Sequence, residues 1–256
     1  MKKSSIKVLG QVLGLAAVIT LPFINSVKAD GYTPKAVVEM FTSQGCSSCP
    51  PADKIMAGYS KNKDILSLSW HVDYWNYLGW KDTFSKAQFT ERQRRYASTL
   101  RERQIYTPQA IVNGRNHTVG SRKGKIDGLM KGFASSGKGL TVPITVKVTK
   151  DQMQIRVAGS ASLKNHPTLY MVYYNRSEKV KIERGENRGK TIVYHNIVRE
   201  TQMLGMLKNG AISVDLPLSE IKRAGYDSCA ILLQETTADG TPGAIIGASV
   251  VEDIGA

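Results

Sequence analysis

Short apolar runs alternate with longer amphipathic stretches in the first half of the chain, a pattern that predicts strands followed by helices. Residues 36–41 are apolar except for one glutamate and predict a short buried strand. A helix is predicted to begin near Cys49, because two prolines and an aspartate follow it and both residue types favour the first helical turn. Residues 64–72 predict a second apolar strand, and residues 87–103 predict an amphipathic helix with one apolar stripe.

The next segment predicts a hairpin and a closing helix. Thr107-Pro108 leads into a short apolar strand, and the Asn113-Gly114 pair after it is a strong signal for a two-residue hairpin turn. Residues 125–133 predict a helix that completes this α/β unit.

A polar, glycine-containing run at residues 134–139 separates this unit from a different pattern. The remainder shows alternating apolar and polar positions with turn residues between them, which is typical of consecutive strands. The predicted strands are residues 142–149, 152–158, 168–174, 179–183, 191–198, 211–216 and 229–235. We therefore predict an α/β domain over residues 30–135 and an all-β, sandwich-like domain over residues 140–256.

The N-terminus has the features of a secretory signal. Three lysines precede an apolar run at residues 8–24, and Val27-Lys28-Ala29 provides the small residues that signal peptidase prefers. Glycine and proline interrupt the run, so it is a poor candidate for a membrane-spanning helix. We expect residues 1–29 to be a cleaved signal peptide, the mature chain to keep no stable membrane anchor, and its location to be periplasmic or secreted.

The charge of the chain gives only weak support for an anionic partner. It carries 35 basic and 21 acidic residues, a net charge of +14, and removal of the four lysines before residue 30 lowers this to +10. Five arginines between residues 92 and 103 share their predicted helix with Glu91 and Glu102, so we interpret that face as solvated. No motif that reads RNA or DNA is present, and we predict no nucleic-acid partner.

Two of the three cysteines carry the candidate chemistry. Cys46 and Cys49 form a C-x-x-C, and Cys229 lies in an apolar strand where we expect a buried, inert thiol. A disulfide across so short a loop stabilises a protein by only about 2 kcal/mol, so a structural role alone is a weak reason for the pair. A helix N-terminus lowers a thiol pKa and favours the thiolate that attacks disulfides. We therefore expect an exposed Cys46 and a shielded Cys49 one turn further into the helix.

Metal binding is an alternative for the same two cysteines. A structural zinc site takes four ligands, and no second C-x-x-C accompanies the first. A Cu(I) site could use both thiolates together with His71. Thiol–disulfide exchange, a structural disulfide and a copper site therefore remain open from the residues alone, and no cofactor is predicted.

The order of these features resembles the thioredoxin superfamily. In that superfamily a cis-proline faces a C-x-x-C, as Pro108 would face the two cysteines here. Residues 38–53, 71–82, 106–109 and 185–189 are similar to a family of secreted, thioredoxin-like proteins that is known only as a domain of unknown function. The resemblance implies a thioredoxin-like fold for residues 30–135, with the all-β, sandwich-like domain after it.

The resemblance also implies roles for individual residues. Cys46 would attack a substrate disulfide, and Cys49 would resolve the mixed disulfide. Pro108 would be the cis-proline, and Thr107 would offer backbone groups to an extended substrate peptide. Glu39 lies close to where thioredoxins keep a buried acid that moves the proton of the resolving thiol.

Two further segments are candidates for substrate contact. Tyr74, Trp75 and Trp80 follow the second predicted strand, where they line a groove beside the thiols or pack as a cap on the sheet. The run Gly185-Glu186-Asn187-Arg188-Gly189 lacks the spacing of a phosphate-binding loop, so we interpret it as a β-turn or a recognition loop.

These features predict an exported thiol–disulfide oxidoreductase that exchanges disulfides with protein substrates through its C-x-x-C. Its partners would be protein thiols or disulfides and an unidentified redox partner. The alternative is a binding or copper-handling protein of the same fold, in which the C-x-x-C is structural or holds the metal.

Overall fold

A computed structural model describes residues 30–158, 167–207 and 211–254 of the chain. The predicted signal peptide, residues 1–29, lies outside this part. The α-helices of the described part are α1 (Pro50–Tyr59), α2 (Ala87–Leu100), α3 (Lys123–Ser135) and α4 (Leu218–Arg223), and a short 3-10 helix spans Asn76–Leu78. Its strands are β1 (Ala36–Thr42), β2 (Ile65–His71), β3 (Gln109–Val112), β4 (Asn116–Val119), β5 (Ile144–Val148), β6 (Gln152–Val157), β7 (Thr168–Lys181), β8 (Thr191–Met206), β9 (Ile212–Pro217), β10 (Ser228–Thr236) and β11 (Pro242–Val251). None of these helices is long and apolar enough to cross a membrane.

Eight of the strands form one mixed sheet in the order β11-β10-β7-β8-β2-β1-β3-β4. β1 and β2 pair in parallel, and β2 also pairs in parallel with β8 at Ser69 and Ile197. Side chains support this narrow junction, since Ser69 Oγ donates to the His195 carbonyl at 2.8 Å and Asn196 Nδ2 donates to the Ser67 carbonyl at 2.9 Å. The strands of the second half of the chain therefore extend the sheet that the first half begins.

This sheet corrects the predicted fold class. A thioredoxin-like α/β domain followed by an all-β, sandwich-like domain is wrong, because the regular structure of the described part is mostly strands, with one large mixed sheet and few helices. The physical reason is that alternation of apolar and polar residues identifies a strand but not the neighbour with which it pairs. Because β8 pairs with β2, strands that were expected in a second sheet continue the first one.

The positions of single elements follow the sequence pattern more closely. β1, α1, β2 and α2 each begin within one residue of the predicted position. In the second half, β7 spans two predicted strands, and α4 and β11 have no predicted counterpart. Residues 175–179 of β7 are polar, and the sequence pattern therefore predicts a turn. They are instead part of the strand, in a section of the β7–β8 hairpin whose side chains are partly or fully exposed.

The core is divided by the sheet. Val38 and Met40 of β1 pack in a cluster with α1 and α3, whereas Val37 and Phe41 pack on the opposite face with α2. The cluster around α2 also contains buried residues of β2, β7, β8, β10 and β11, so the sheet curves around this helix. The smaller sheet β5-β6-β9 packs against β7, β10 and β11. The C-terminal end of β1, where the chain turns into α1, lies between these layers.

Candidate functional site

Cys46 and Cys49 form a disulfide where the chain leaves β1 and enters α1, with their Cα atoms 5.4 Å apart. The Cys46 amide donates to the Ser43 carbonyl at 3.2 Å, and Cys49 is the N-cap of α1. Pro50 and Pro51 follow in the first helical turn, where their missing N–H groups would have no intrahelical acceptor. Both sulfurs therefore lie at the positive dipole end of α1, which favours a thiolate.

Thr107 and Pro108 approach the disulfide at the start of β3. The peptide bond between them is cis, as the resemblance implied. Ser48 links the two segments, because its hydroxyl oxygen lies 3.4 Å from Cys46 Sγ and donates to the Thr107 carbonyl at 3.4 Å. Four of the predicted site residues, the two cysteines and the Thr-Pro pair, thus lie together at one end of the sheet.

Two of the three aromatic candidates hold the loops around the disulfide. Trp75 Nε1 donates to Thr107 Oγ1 at 2.7 Å, and Trp80 Nε1 donates to Gln44 Oε1 at 2.8 Å. Tyr74 packs beside Trp75 with ring centroids 5.8 Å apart, and its hydroxyl donates into α2. Burial raises the pKa of Tyr74 to about 12. All three side chains are partly buried, so they pack in the site as well as lining it.

Cys46 is not exposed as we expected, because it has only 1% of its surface accessible, and Cys49 has 0%. The loop between β7 and β8, residues 182–190, contacts the backbone of this turn, and we call it the hairpin tip. Asn187 of the hairpin tip is buried and donates from Nδ2 to the Gln44 carbonyl at 2.9 Å and to the Cys46 carbonyl at 2.8 Å. The contact with Cys46 joins residues 141 positions apart in the chain.

A buried aspartate and histidine support the same turn. Asp82 Oδ2 lies 2.7 Å from His71 Nδ1 and accepts the Gln44 amide at 2.7 Å. Burial alone would raise the pKa of Asp82, but His71 and the Gln44 and Phe84 amides hold it below its ordinary value. Asp82 is therefore a buried anion that fixes the backbone immediately before Cys46.

Asp53 is a second buried acid, one helical turn after Cys49 on the same face of α1. Thr42 Oγ1 donates to its Oδ1 at 2.8 Å, while its Oδ2 has no hydrogen-bond partner in the described part of the chain. Burial raises the pKa of Asp53 to about 7, although His71 opposes the shift. The sequence suggested only a helix-dipole charge here, and the four-residue spacing from Cys49 is the signal that identifies a site residue.

Glu39 lies apart from the helix that carries the cysteines. Its neighbours Val38 and Met40 face α1, so alternation along β1 turns Glu39 to the α2 side. There Arg92 Nε donates to Glu39 Oε1 at 2.8 Å, and the Tyr96 hydroxyl donates to Glu39 Oε2. Glu39 is therefore half of a buried ion pair rather than an acid beside Cys49.

Arg92 also departs from the expected solvated arginine face. Its side chain is 17% exposed and pairs with Glu39. Burial alone would lower the pKa of Arg92, but Glu39 raises it above its ordinary value. The other arginines of α2, Arg94 and Arg95, are exposed as predicted.

A metal site at the cysteines would need further ligands. His71, the candidate third copper ligand, uses Nδ1 for Asp82, and its Nε2 has no hydrogen-bond partner in the described part. Across residues 30–158, 167–207 and 211–254, no three His, Cys, Asp or Glu side chains are grouped so that they could hold a metal ion. The disulfide therefore remains the candidate for chemistry at this end of the sheet.

Comparisons with known proteins give a family and a fold. A family model described as "Protein of unknown function (DUF1223)" matches residues 37–234. The crystal structure of protein AGR_C_4864 from Agrobacterium tumefaciens is 37% identical, covers 87% of this chain and 96% of its own, and superimposes with a TM-score of 0.78. The structure of HBP35 of Porphyromonas gingivalis is similar in fold alone, with 15% identity, 86% and 76% coverage and a TM-score of 0.62. No curated protein matches the chain.

Proposed function

Because the chain belongs to the DUF1223 family of proteins of unknown function, we propose its activity from its own residues: it is an exported thiol–disulfide oxidoreductase that acts on protein substrates. The observation that carries the proposal is the Cys46–Cys49 disulfide at the N-terminus of α1, joined through Ser48 to the Thr107 carbonyl. The copper alternative has no comparable support, since the described residues offer no group of three metal ligands.

The exchange proceeds in two steps. In the reduced protein, the Cys46 thiolate attacks one sulfur of a substrate disulfide, so that a Cys46–substrate disulfide forms and the other substrate sulfur leaves as a thiolate. The Cys49 thiolate then attacks Cys46 Sγ, which restores the Cys46–Cys49 bond and releases the second substrate thiolate. Two electrons pass from the pair to the substrate, and the reverse sequence oxidises a substrate dithiol.

Asp53 is the proposed proton acceptor for the second step. Cys49 must lose its thiol proton before it attacks, and it is fully buried, so solvent does not reach it. The Asp53 carboxyl lies on the same face of α1, has an unpartnered oxygen and a pKa of about 7. An acid with that pKa accepts and returns a proton near neutral pH, which is the range in which general acid–base catalysis is most effective.

Thr107 is the proposed contact for the substrate backbone. Its carbonyl accepts the Ser48 hydroxyl beside Cys46, and it is only partly buried. A backbone N–H of an extended substrate peptide can replace the Ser48 hydroxyl at this acceptor, which places the peptide along the edge next to the sulfur. Trp75, which holds the Thr107 hydroxyl, keeps the carbonyl in place.

The C-x-x-C motif and the signal-like N-terminus both support disulfide exchange outside the cytoplasm as the proposed function. A C-x-x-C at a helix N-terminus opposite a Thr-Pro pair is similar to the arrangement in the thioredoxin superfamily, and the likeness is one of motif rather than of fold. The signal-like residues 1–29 favour export, so we propose a periplasmic or secreted location and protein thiols or disulfides as partners.

Trapping tests the proposal directly. In Cys49→Ala the first step can occur but the second cannot, so a stable mixed disulfide should form with a synthetic peptide whose single cysteine is joined by a disulfide to 5-thio-2-nitrobenzoate, which leaves as a separate, stable thiolate. Intact mass spectrometry of the mature chain should show an adduct of one peptide mass that disappears on reduction. The double variant Cys46→Ala/Cys49→Ala is the matched control and should form none. Absence of the adduct in Cys49→Ala would reject Cys46 as the attacking sulfur.

A further inference from the structure

The hairpin tip makes direct polar contacts with the C-x-x-C turn. Asn187 donates to two carbonyls of that turn, those of Gln44 and Cys46. Glu186 Oε2 accepts the Ser47 amide at 3.2 Å. These contacts join segments about 140 residues apart in sequence and place the hairpin tip against the backbone on both sides of Cys46, next to the exposed Ser47 and Ser48.

The hairpin tip is preformed for this contact. The Gly189 amide donates to the Ile182 carbonyl at 2.8 Å, which closes the loop on itself. Lys190 Nζ donates to Asn187 Oδ1 at 2.8 Å, so the amide of Asn187 is oriented with Nδ2 towards the turn. Gly185 has φ +73°, and a Cβ built on it would lie 3.2 Å from Trp80 Cβ, so glycine permits the close approach. The tip therefore holds its shape through its own hydrogen bonds.

We propose, on the basis of the oxidoreductase function above, that Asn187 and Glu186 hold the hairpin tip over Cys46 as a cap. A polypeptide substrate then reaches the sulfur only when the tip is displaced. Substrate disulfide sulfurs cannot approach a Cys46 that is 1% exposed. In the described part of the chain, three hydrogen bonds from Asn187 and Glu186 hold the tip on the turn. Water or substrate groups can replace these bonds when the tip lifts, so displacement leaves the two strands of the hairpin intact.

Glu186 adds an electrostatic effect to the steric one. Its carboxylate accepts a backbone N–H at the N-terminus of α1, the same region whose positive dipole end favours a Cys46 thiolate. While the tip is closed, a second negative charge close to Cys46 disfavours the thiolate. Displacement of the tip removes that charge and frees the Ser47 N–H, so exposure and activation of Cys46 occur together.

The alkylation rate of Cys46 in the reduced mature chain tests this cap. Iodoacetamide is added at pH 7, and the modification of each cysteine is followed by mass spectrometry of its peptide. Asn187→Ala, which loses both donors, should speed Cys46 alkylation at least about fivefold. Glu186→Gln, which keeps the size of the side chain, should speed it about two- to fivefold. Glu183→Gln is the matched control, because Glu183 is exposed on the same loop, and its rate should stay within about twofold of the wild type.

Cys49 and Cys229 provide the internal control for general unfolding, since both are fully buried. A displaced cap exposes Cys46 and leaves these two thiols slow, whereas a loosened fold speeds all three. Unchanged Cys46 alkylation in Asn187→Ala, or equal acceleration of all three cysteines, would overturn the cap, and an unchanged rate in Glu186→Gln would overturn the role of Glu186. Alkylation needs no substrate, so a cap that opens in these variants together with a failed trapping experiment would reject the oxidoreductase function and leave the cap standing.

Discussion

Replacing Cys46 by serine should lower the rate of disulfide exchange to that of the uncatalysed reaction, a loss of more than about a hundredfold. The reason is that a hydroxyl does not attack a disulfide at neutral pH, whereas a thiolate at a helix N-terminus does. The rate is measured as the conversion of a disulfide-bearing peptide to its dithiol in the presence of dithiothreitol, with and without the mature chain.

Cys229→Ser is the control for this loss. Cys229 is buried in β10, and burial raises the pKa of its thiol to about 12, so it takes no part in exchange and the variant should retain the wild-type rate. Urea unfolding should show that Cys46→Ser remains folded, because loss of so short a disulfide loop costs only about 2 kcal/mol. Exchange that survives in folded Cys46→Ser would mean that the activity arises elsewhere.

Asp53→Asn should change both the pH dependence of stability and the rate of exchange. The folded-state pKa of Asp53 is about 7 against an ordinary value of 3.8, so the carboxyl stabilises the fold only while protonated. That contribution is fully present below about pH 4 and is lost as the pH rises to 7, by up to roughly 4 kcal/mol. The asparagine variant lacks this loss and should gain stability over the wild type as the pH rises.

At pH 7 the disulfide exchange of Asp53→Asn should be slower than that of the wild type by about tenfold or more, because Cys49 loses its proton acceptor.

Urea unfolding at pH 4, 5.5, 7 and 8 measures the first effect, and single-turnover release of the dithiol peptide measures the second. Asp64→Asn removes the same charge from an exposed pair with Lys35 and should leave both nearly unchanged. If the free energies of unfolding of the wild type and Asp53→Asn differ by the same amount at every pH, the buried carboxyl does not titrate near pH 7. Unchanged exchange would remove Asp53 from the chemistry.

Features decided by neighbouring residues were predictable from the sequence. The start of α1 follows from the two prolines after Cys49, and β1 follows from an apolar run in which all seven residues are buried. The Thr107-Pro108 cis bond and its position beside the cysteines followed from the resemblance to a known motif. The signals for α1 and β1 act over a few residues, whereas the position of the Thr-Pro pair beside the cysteines came only from the resemblance.

Features decided by distant residues were not predictable. The junction of β8 with β2 depends on contacts such as that of Ser69 with His195, 126 residues apart, and no local pattern indicates it. The contact of Asn187 of the hairpin tip with the Cys46 carbonyl likewise joins residues 141 positions apart. The predictions of the fold class and of an exposed Cys46 were both wrong because neither feature is decided by neighbouring residues.

The choice of buried acid illustrates a third case, in which local information existed. Glu39 and Asp53 are both close to the cysteines in sequence, but strand alternation turns Glu39 to α2, while a four-residue step along α1 keeps Asp53 on the face of Cys49. The phase of each element, rather than distance along the chain, decides which acid lies with the cysteines.

Equilibration of the mature chain in glutathione buffers of graded composition, followed by alkylation and mass spectrometry, measures whether Cys46 and Cys49 are a working redox pair. We predict that the pair converts completely and reversibly between dithiol and disulfide at buffer redox potentials of roughly −150 to −300 mV, and that the chain stays folded throughout. A pair that stays oxidised below roughly −300 mV and opens only when urea unfolds the chain would be a structural disulfide, and the proposed function would be wrong.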